Sequence, residues 1–311
     1  MWPCTAKSMG YGSHHMAHIG TGTDPTGLRP AGPRLLASTG ALLFTPIGWV
    51  MDAIADAGFS GAEVVLSHQR DSRSPTMING FARQTGLDVP VAHGPYMVVL
   101  RRVLGADYRT KTRRSLERVA AFGAHTLVAH APFRWERTAR RWLAEGHALS
   151  AGAEAGVTFA MENLYPWRGR AFSSVVTPAD LSAYPDVVFD TSHFAVAGVD
   201  LLQAWETLAP RVCHIHLSDN LGAGSDDHAP IGSGVLPLQR LLHRVSEWGY
   251  AGTITLELDC RGHMETREAL VAFLARERVK AEALLSGLSY DEAAALHPEI
   301  GHTGWRGEVP T

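Results

Sequence analysis

The stretch VCHIHLSDN at residues 212–220 decides how this chain is interpreted. Apolar and polar residues alternate through its first half, as they do in a buried β-strand. His214 and His216 therefore share one face of the strand, whereas Ile215 and Leu217 share the other. Two imidazoles on one face of a strand that ends in Ser-Asp-Asn indicate a binding site at the end of that strand.

The loop after this strand carries more groups of the same kind. It reads DDHAPIGSG at residues 226–234, so Asp226 lies two residues before His228 on a turn that contains proline and glycine. Imidazole nitrogens and carboxylate oxygens are common ligands of divalent metal ions. The strand and its loop together predict part of a metal site.

Composition limits the classes of protein to consider. The 311 residues are 45% hydrophobic, which suits one large α/β domain or two small ones. A net charge of −3 gives no overall basic surface for nucleic acid, although a local basic cleft does not show in a sum. The three cysteines form no Cys-x-x-Cys pair, which is typical of a reducing compartment and predicts a cytoplasmic protein. No apolar run reaches the length of a membrane span.

Three regions follow from patterning along the chain. Residues 1–33 are rich in Gly, Pro, Thr and His without periodicity and are interpreted as a disordered leader. Residues 34–286 alternate between strand and helix patterns. Residues 287–311 form a C-terminal extension that could pack on a second copy, so a homodimer is one hypothesis.

The middle region predicts eight strands that alternate with eight helices, as in a (β/α)8 TIM barrel of one domain. The strands are near-continuous apolar runs, which is typical of parallel strands buried on both faces. A doubly wound open sheet is the alternative, but no Gly-rich phosphate-binding motif follows the first strand. The predicted strands are 35–39, 61–66, 89–93, 126–130, 157–162, 187–190, 212–217 and 253–257. The predicted helices are 46–57, 75–85, 109–122, one long helix ending near 155, a short one from Pro178, 201–208, 237–248 and 265–285.

Side chains of the kinds that bind divalent metal ions, here called metal-type side chains, come at or just after the carboxyl ends of six consecutive strands. In a barrel these ends converge on one mouth, where active sites of this fold lie. Burying several carboxylates together without a cation would cost several kcal/mol each. The pattern therefore predicts at least one divalent ion, bound by residues among His93, His130, Glu162, Asp190, His193, His216, Asp226, His228 and Glu257.

The order of these motifs resembles the xylose isomerase-like barrel superfamily. That superfamily contains sugar phosphate isomerases and epimerases, and also endonuclease IV-type apurinic/apyrimidinic endonucleases. The matching motifs are AHGPY at 92–96, VAHAP at 128–132, MEN at 161–163, FDTSH at 189–193, HLSDN at 216–220, DDHAPIGSG at 226–234 and LE at 256–257.

In the isomerase and epimerase branch, the resemblance implies one divalent ion held by Glu162, Asp190, His216 and Glu257. The ion, which could be manganese, zinc, magnesium, iron or cobalt, would stabilise an enediolate. Glu162 and Glu257 would move the proton, and His193 would bind a substrate oxygen. This branch gives the leading hypothesis, an isomerase or epimerase of a small polyol or sugar phosphate.

In the endonuclease branch, all nine side chains hold three zinc ions that act on a phosphodiester. Because the chain matches every one of the nine, a phosphoester hydrolase is the alternative hypothesis. The loops between motifs are short, and no stretch rich in Lys and Arg interleaved with aromatics lies near the mouth. Nucleic acid is therefore not the expected partner, although abasic DNA stays a test substrate of the alternative.

Further side chains are candidates for contacts around the ligands. Substrate contacts are predicted for Tyr96, Asn163, Trp135, Trp167 and Arg168. Two others are predicted to support the ligands. Asp219 would orient His216, and His214, one layer deeper on the same face, would form hydrogen bonds inside the barrel.

Overall fold

The computed structural model describes residues 32–96 and 100–298 and shows a closed barrel of eight parallel strands in sequence order. The strands are β1 Arg34–Ser38, β2 Gly61–Val65, β3 Asp88–His93, β4 Thr126–His130, β5 Thr158–Glu162, β6 Val187–Asp190, β7 Val212–Leu217 and β8 Thr253–Leu256. The predicted single-domain (β/α)8 barrel is confirmed. Most of the leader and the end of the C-terminal extension lie outside the described residues.

The helices of the described part cover the outside of the barrel, and most agree with the sequence pattern to within two residues. They are α1 Ile47–Asp56, α2 Pro75–Thr85, α3 Tyr108–Phe122, α4 Arg137–Ala144, α5 His147–Ala155, α6 Pro178–Leu181, α7 Thr191–Val196, α8 Leu201–Leu208, α9 Leu238–Glu247, α10 Arg267–Leu285 and α11 Tyr290–Leu296. Within residues 32–96 and 100–298, none is long and apolar enough to cross a membrane.

Local capping explains where the predicted helices begin and end. Ser74 accepts a hydrogen bond from the backbone N–H of Met77 at the start of α2, and Gly86 ends that helix with φ of +74°. Glycine adopts this left-handed conformation without the steric cost that a Cβ brings. These two signals reproduce the predicted helix 75–85.

Two helical segments of the barrel differ from the prediction, and α11 after the barrel was not predicted. The long helix expected between β4 and β5 is divided into α4 and α5, because Gly146 with φ of +77° lies between them. The helix α7 follows β6 without a loop and was not predicted. It begins there because Asp190 caps it, with Oδ1 accepting from the N–H of His193 at 2.8 Å.

On five of the strands, the side chain that points into the barrel one layer before the mouth is apolar. Leu36, Val91, Val128, Ala160 and Val188 form this buried layer. In four of the strands, the residue two positions further along the same face is a metal-type side chain, because side chains alternate across a strand. Each large aliphatic side chain buried here contributes about 1.5–3 kcal/mol. These five side chains form the apolar part of the floor under the mouth, whereas Glu63 and His214, which lie beside Val91 and Val188, form its polar part.

Strand register sets the spacing of the polar residues. His130 of β4 lies beside Glu162 of β5, and Asp190 of β6 lies beside His216 of β7. Neighbouring strands of a sheet are about 4.8 Å apart, which is the right scale for two side chains to share one small ligand. The strand register therefore brings these four residues together.

Candidate metal centre

All nine side chains predicted as metal ligands lie at the carboxyl end of the barrel in three neighbouring groups. Within each group, the possible ligand atoms lie within 4.8 Å of one another. The groups are His93, His130 and Glu162; Glu162, Asp190, His216 and Glu257; and His193, Asp226 and His228. Glu162 belongs to two of them.

The first group is built on β3, β4 and β5. Nδ1 of His93 lies 2.7 Å from the carbonyl oxygen of Gly94. A carbonyl only accepts, so Nδ1 carries the proton and Nε2 is left for binding. Nε2 of His93 and Nε2 of His130 lie 3.1 and 2.7 Å from the same oxygen, Oε2 of Glu162. Three ligand atoms thus converge on one point.

The second group surrounds one ring nitrogen. Nδ1 of His216 lies 2.8 Å from Oε1 of Glu162, 3.0 Å from Oε2 of Glu257 and 3.5 Å from Oδ2 of Asp190. Glu162, Asp190 and His216 are buried, whereas the Glu257 side chain is 19% exposed. This quartet is the set that the sequence resemblance implies for a single ion.

The third group joins α7 to the loop after β7. Nδ1 of His193 lies 2.8 Å from the carbonyl oxygen of Asn163, so its Nε2 is the nitrogen left to bind, and it lies 3.4 Å from Oδ2 of Asp226. Nε2 of His228 lies 3.0 Å from the same oxygen. His228 has φ of +45°, which is costly for a residue with a Cβ and is found where function constrains the backbone.

Two buried polar atoms without hydrogen-bond partners indicate whether a metal ion fits these groups. Nε2 of His130 and Oδ2 of Asp190 are buried, and within the described residues neither has a hydrogen-bond partner. Nε2 of His130 lies close to Glu162, but the two groups are not aligned for a hydrogen bond. Leaving a buried polar atom unpaired costs about 1–3 kcal/mol. A divalent cation among these atoms would remove that cost, so the residues fit such an ion.

Electrostatics at the mouth keep Glu162 ionised and make His216 more basic. Burial raises the pKa of Glu162, but His216 and His130 outweigh burial and hold it well below the usual range. Burial lowers the pKa of His216, but Glu63, Glu162 and Glu257 raise it well above the usual range. Without ions, His216 therefore holds a proton where a cation would otherwise bind, whereas burial lowers the pKa of His130 and favours its neutral form.

A supporting layer lies just inside the barrel, and it centres on Glu63 rather than on Asp219. His214 is buried inside the barrel and donates from Nε2 to Oε2 of Glu63 at 2.9 Å. Nε2 of His216 lies 3.1 Å from the same oxygen. The expectation that Asp219 orients His216 is wrong, because both carboxylate oxygens of Asp219 accept from loop amides. Glu63 was not among the predicted supporting residues, since one Glu in an apolar strand carries no sequence signal for this role.

Asp219 instead shapes the loop that carries Asp226 and His228. Its carboxylate accepts hydrogen bonds from four backbone N–H groups at 2.8 to 3.1 Å, those of Asn220, Gly232, Gly234 and Leu236. On the other side of the loop, Ile231 donates to Glu277 at 2.8 Å and accepts from Lys280 at 3.2 Å. These contacts hold a long, irregular segment in one shape.

Two predicted substrate contacts have other partners. Tyr96 is buried and donates its hydroxyl hydrogen to Thr112 of α3 at 3.0 Å, so it packs beside the centre. Asn163 is also buried, and its side-chain amide bonds the backbone of Asp190 through both ends, at 3.1 and 3.3 Å. Asn163 thus holds the end of β5 to the backbone of Asp190, a candidate ligand at the end of β6.

The remaining predicted contacts lie on the exposed loops after β4 and β5. Trp135 and Trp167 are 62% and 55% exposed, and both rings contact Phe172. The guanidinium of Arg168 lies 4.8 Å from the centre of the Trp167 ring. Tyr165 comes closer to the ligands, with its ring 5.0 Å from that of His193. Substrate contact by Trp135, Trp167 and Arg168 stays a prediction.

The fold and the site define a class, a (β/α)8 barrel with overlapping groups of metal-type ligands at its mouth. Within that class, the chain belongs to the xylose isomerase-like TIM barrel family, whose model matches residues 51–278.

Relatives with curated sequences cover most of this chain. An uncharacterized protein of Mycobacterium tuberculosis is 26% identical over 251 residues, which cover 73% of this chain and 86% of the relative. An uncharacterized protein of Mycobacterium leprae is 28% identical over 230 residues, which cover 66% and 81%.

Solved structures with the same fold include two kinds of enzyme. The 3-keto-D-glucoside 4-epimerase YcjR of E. coli has a TM-score of 0.61 at 21% identity, covering 79% of this chain and 99% of the epimerase. A family 2 AP endonuclease of Brucella melitensis has a TM-score of 0.61 at 20% identity, covering 76% and 96%. At these identities the likeness establishes the shared fold alone.

Proposed function

We propose that this protein is a metal-dependent phosphoester hydrolase with a centre for more than one ion. The observation that carries the proposal is the position of Glu162. Its Oε2 lies within 3.1 Å of the ring nitrogens of His93 and His130, while its Oε1 lies 2.8 Å from that of His216. A carboxylate placed in this way can bridge two cations, one on each oxygen.

The surrounding residues support this chemistry. Divalent ions in these groups would neutralise the charge of a phosphoryl group and lower the pKa of an attacking water. The third group adds ligands from α7 and from the loop after β7. The carboxylate of that group belongs to Asp226, and the hydroxyl of Ser192 donates to its Oδ1 at 2.7 Å. The other oxygen, Oδ2, faces His193 and His228.

A sugar or sugar phosphate isomerase or epimerase is the second candidate, and the quartet with Glu257 favours it. Proton transfer needs a carboxylate that a substrate can reach, and the Glu257 side chain is 19% exposed. The opposite base in that mechanism is Glu162. Its second oxygen, Oε2, faces the imidazoles of His93 and His130 rather than an open space where a substrate could bind. This arrangement favours the hydrolase over the isomerase or epimerase.

Activity assays with one variant separate the two candidates. Purified protein with added zinc or manganese is tested on an activated phosphodiester and on abasic DNA, and ketoses and their phosphates are tested for proton exchange with solvent. We expect metal-dependent phosphoester hydrolysis that falls at least about 100-fold in His130→Asn, because only the multi-ion arrangement uses His130. His147→Asn on the surface of α5 is the matched control.

Solvent exchange into a ketose, with full activity in His130→Asn, would contradict the hydrolase and support the isomerase or epimerase. In that case the quartet alone would account for the reaction.

A further inference from the structure

Glu63 of β2 is a fully buried carboxylate that points into the barrel beneath the metal-type groups. Its Oε2 accepts from Nε2 of His214 at 2.9 Å, from Nε2 of His216 at 3.1 Å and from the hydroxyl of Thr255 at 2.8 Å. The far side of His214 is fixed in turn, because its Nδ1 lies 2.7 Å from the Thr253 hydroxyl. Three donors on two strands, β7 and β8, therefore hold Glu63 in place.

The hydrogen bond from His216 to Glu63 decides which ring nitrogen of His216 can bind a cation. An ionised carboxylate only accepts, so Nε2 of His216 carries a proton. Nδ1 is then the nitrogen with a free lone pair, and it is the atom surrounded by Glu162, Glu257 and Asp190 at 2.8 to 3.5 Å. A histidine whose other nitrogen donates to a carboxylate is oriented and made more basic as a metal ligand.

Stability does not explain a carboxylate at this position. Barrel interiors are usually filled by branched apolar residues, as in the layer that contains Val91 and Val188. Removing a carboxylate from water costs several kcal/mol, and replacing a buried ion pair with apolar residues is often neutral or stabilising. Within the described residues, Oε1 of Glu63 has no hydrogen-bond partner, which adds to the cost. A carboxylate retained under these conditions indicates a role in the site.

We propose that Glu63 is a positioning residue of the metal centre, which holds His216 with Nε2 protonated and Nδ1 directed at the ion. The inference rests on the proposed metal centre but not on the reaction that the centre performs. It applies equally to a hydrolase and to an isomerase.

Zinc affinity tests this role without reference to turnover. The dissociation constant for Zn²⁺ is measured by competition with a chromophoric chelator for wild type, Glu63→Gln and Glu63→Leu. We expect Glu63→Leu to weaken the tightest site by roughly 10–100-fold. Glu63→Gln should fall between this variant and wild type, because an amide oxygen still accepts a hydrogen bond. Thr253→Val is the control, since it removes a buried hydrogen bond on His214 without touching Glu63 or His216.

Nitrogen NMR of the zinc-loaded protein gives a second readout. With ¹⁵N-labelled histidine, wild type should show His216 bound through Nδ1 with a protected proton on Nε2, and Glu63→Leu should lose that proton's protection. Unchanged zinc affinity in Glu63→Gln, or in folded Glu63→Leu, would overturn the proposal, as would an equal loss in Thr253→Val. Wild-type protein that binds no zinc would instead refute the metal centre itself.

Discussion

Glu162 shows how much depends on single side chains at the mouth of this barrel. Its two oxygens lie against different sets of imidazoles, at 2.7 Å from His130 and 2.8 Å from His216. A shorter carboxylate at this position could not reach both sets, because β4 and β7 are not neighbours in the barrel. At the scale of the residue, the proposal of more than one ion rests on which oxygen of Glu162 faces which ring.

Glu257→Gln tests the carboxylate nearest to solvent. A neutral amide oxygen is a weaker ligand than a carboxylate and takes up no proton, so turnover should fall at least about 100-fold while the barrel stays folded. Steady-state kinetics and circular dichroism measure the two quantities, with Glu247→Gln on the exposed surface of α9 as the control. Full activity of Glu257→Gln under saturating metal would show that its carboxylate has no part in the chemistry.

Ion binding by the third group should strengthen as pH rises. Burial lowers the pKa of His228, but Asp226 and Glu257 outweigh burial and raise it to about 9. Burial lowers the pKa of His193 too, but Asp190 and Asp226 raise it well above its usual range. An ion must displace both protons, so the apparent affinity should increase by roughly 10-fold to 100-fold per pH unit below pH 9 and be lost toward pH 5. Equilibrium dialysis with zinc across this range measures the slope. Ion content that stays constant down to pH 5 would be incompatible with histidine ligands.

Among the elements, the loop after β7 is an irregular segment whose shape depends on hydrogen bonds to one side chain. It brings Asp226 and His228 to the mouth, although it has almost no regular secondary structure. The carboxylate of Asp219 accepts four hydrogen bonds from backbone N–H groups of this loop, and these bonds fix its conformation as backbone hydrogen bonds do in a helix or strand. Such an arrangement requires close approach of backbone, and Gly234 permits it.

Gly234→Ala should therefore disrupt the third group more than the barrel. A Cβ at this position would collide with the backbone oxygen of Asn220 and the carboxylate of Asp219. Overpacking of this kind costs about 1–3 kcal/mol, and displacement of the loop should reduce the ion content per chain. Metal analysis and thermal melts measure both effects. Gly262→Ala, where a Cβ meets nothing within 4 Å, is the control; equal ion content in the two variants would refute this role.

Strands and ligands could be predicted from the sequence because each follows a local rule. Apolar runs ending in His, Glu or Asp gave β3 to β6 and their ligands. Contacts between distant segments follow no such rule. Asp219 looked like the partner of His216 because it is three residues away, yet Glu63, which is 153 positions away, makes that contact. The break at Gly146 was also missed, since one glycine in a helical pattern does not by itself end a helix.

At the scale of the whole molecule, a small net charge of −3 conceals a strong local concentration of charge. Five acidic side chains, those of Glu63, Glu162, Asp190, Asp226 and Glu257, take part in the three groups and the layer beneath them. The pKa of Asp190 is raised above its usual range by burial, which shows the electrostatic cost of this arrangement in the absence of cations. Bound ions would reduce that cost and stabilise the entire barrel.

Removing metal should consequently lower the melting temperature. A ligand present at 100 times its dissociation constant stabilises the folded state by about 2.7 kcal/mol, which corresponds to roughly 5 °C or more for a domain of this size. Calorimetry before and after chelation measures the change, and zinc returned in excess should restore the original value. A melting temperature that is the same in both states would mean that no tightly bound ion supports the fold.

The central claim is that the mouth of the barrel holds more than one ion. Mass spectrometric metal analysis of untagged protein, purified without chelator, tests it most directly. The shared position of Glu162 predicts two or three divalent ions per chain. A stoichiometry of one ion would contradict the claim and leave the single-ion quartet, and with it the isomerase or epimerase, as the better description.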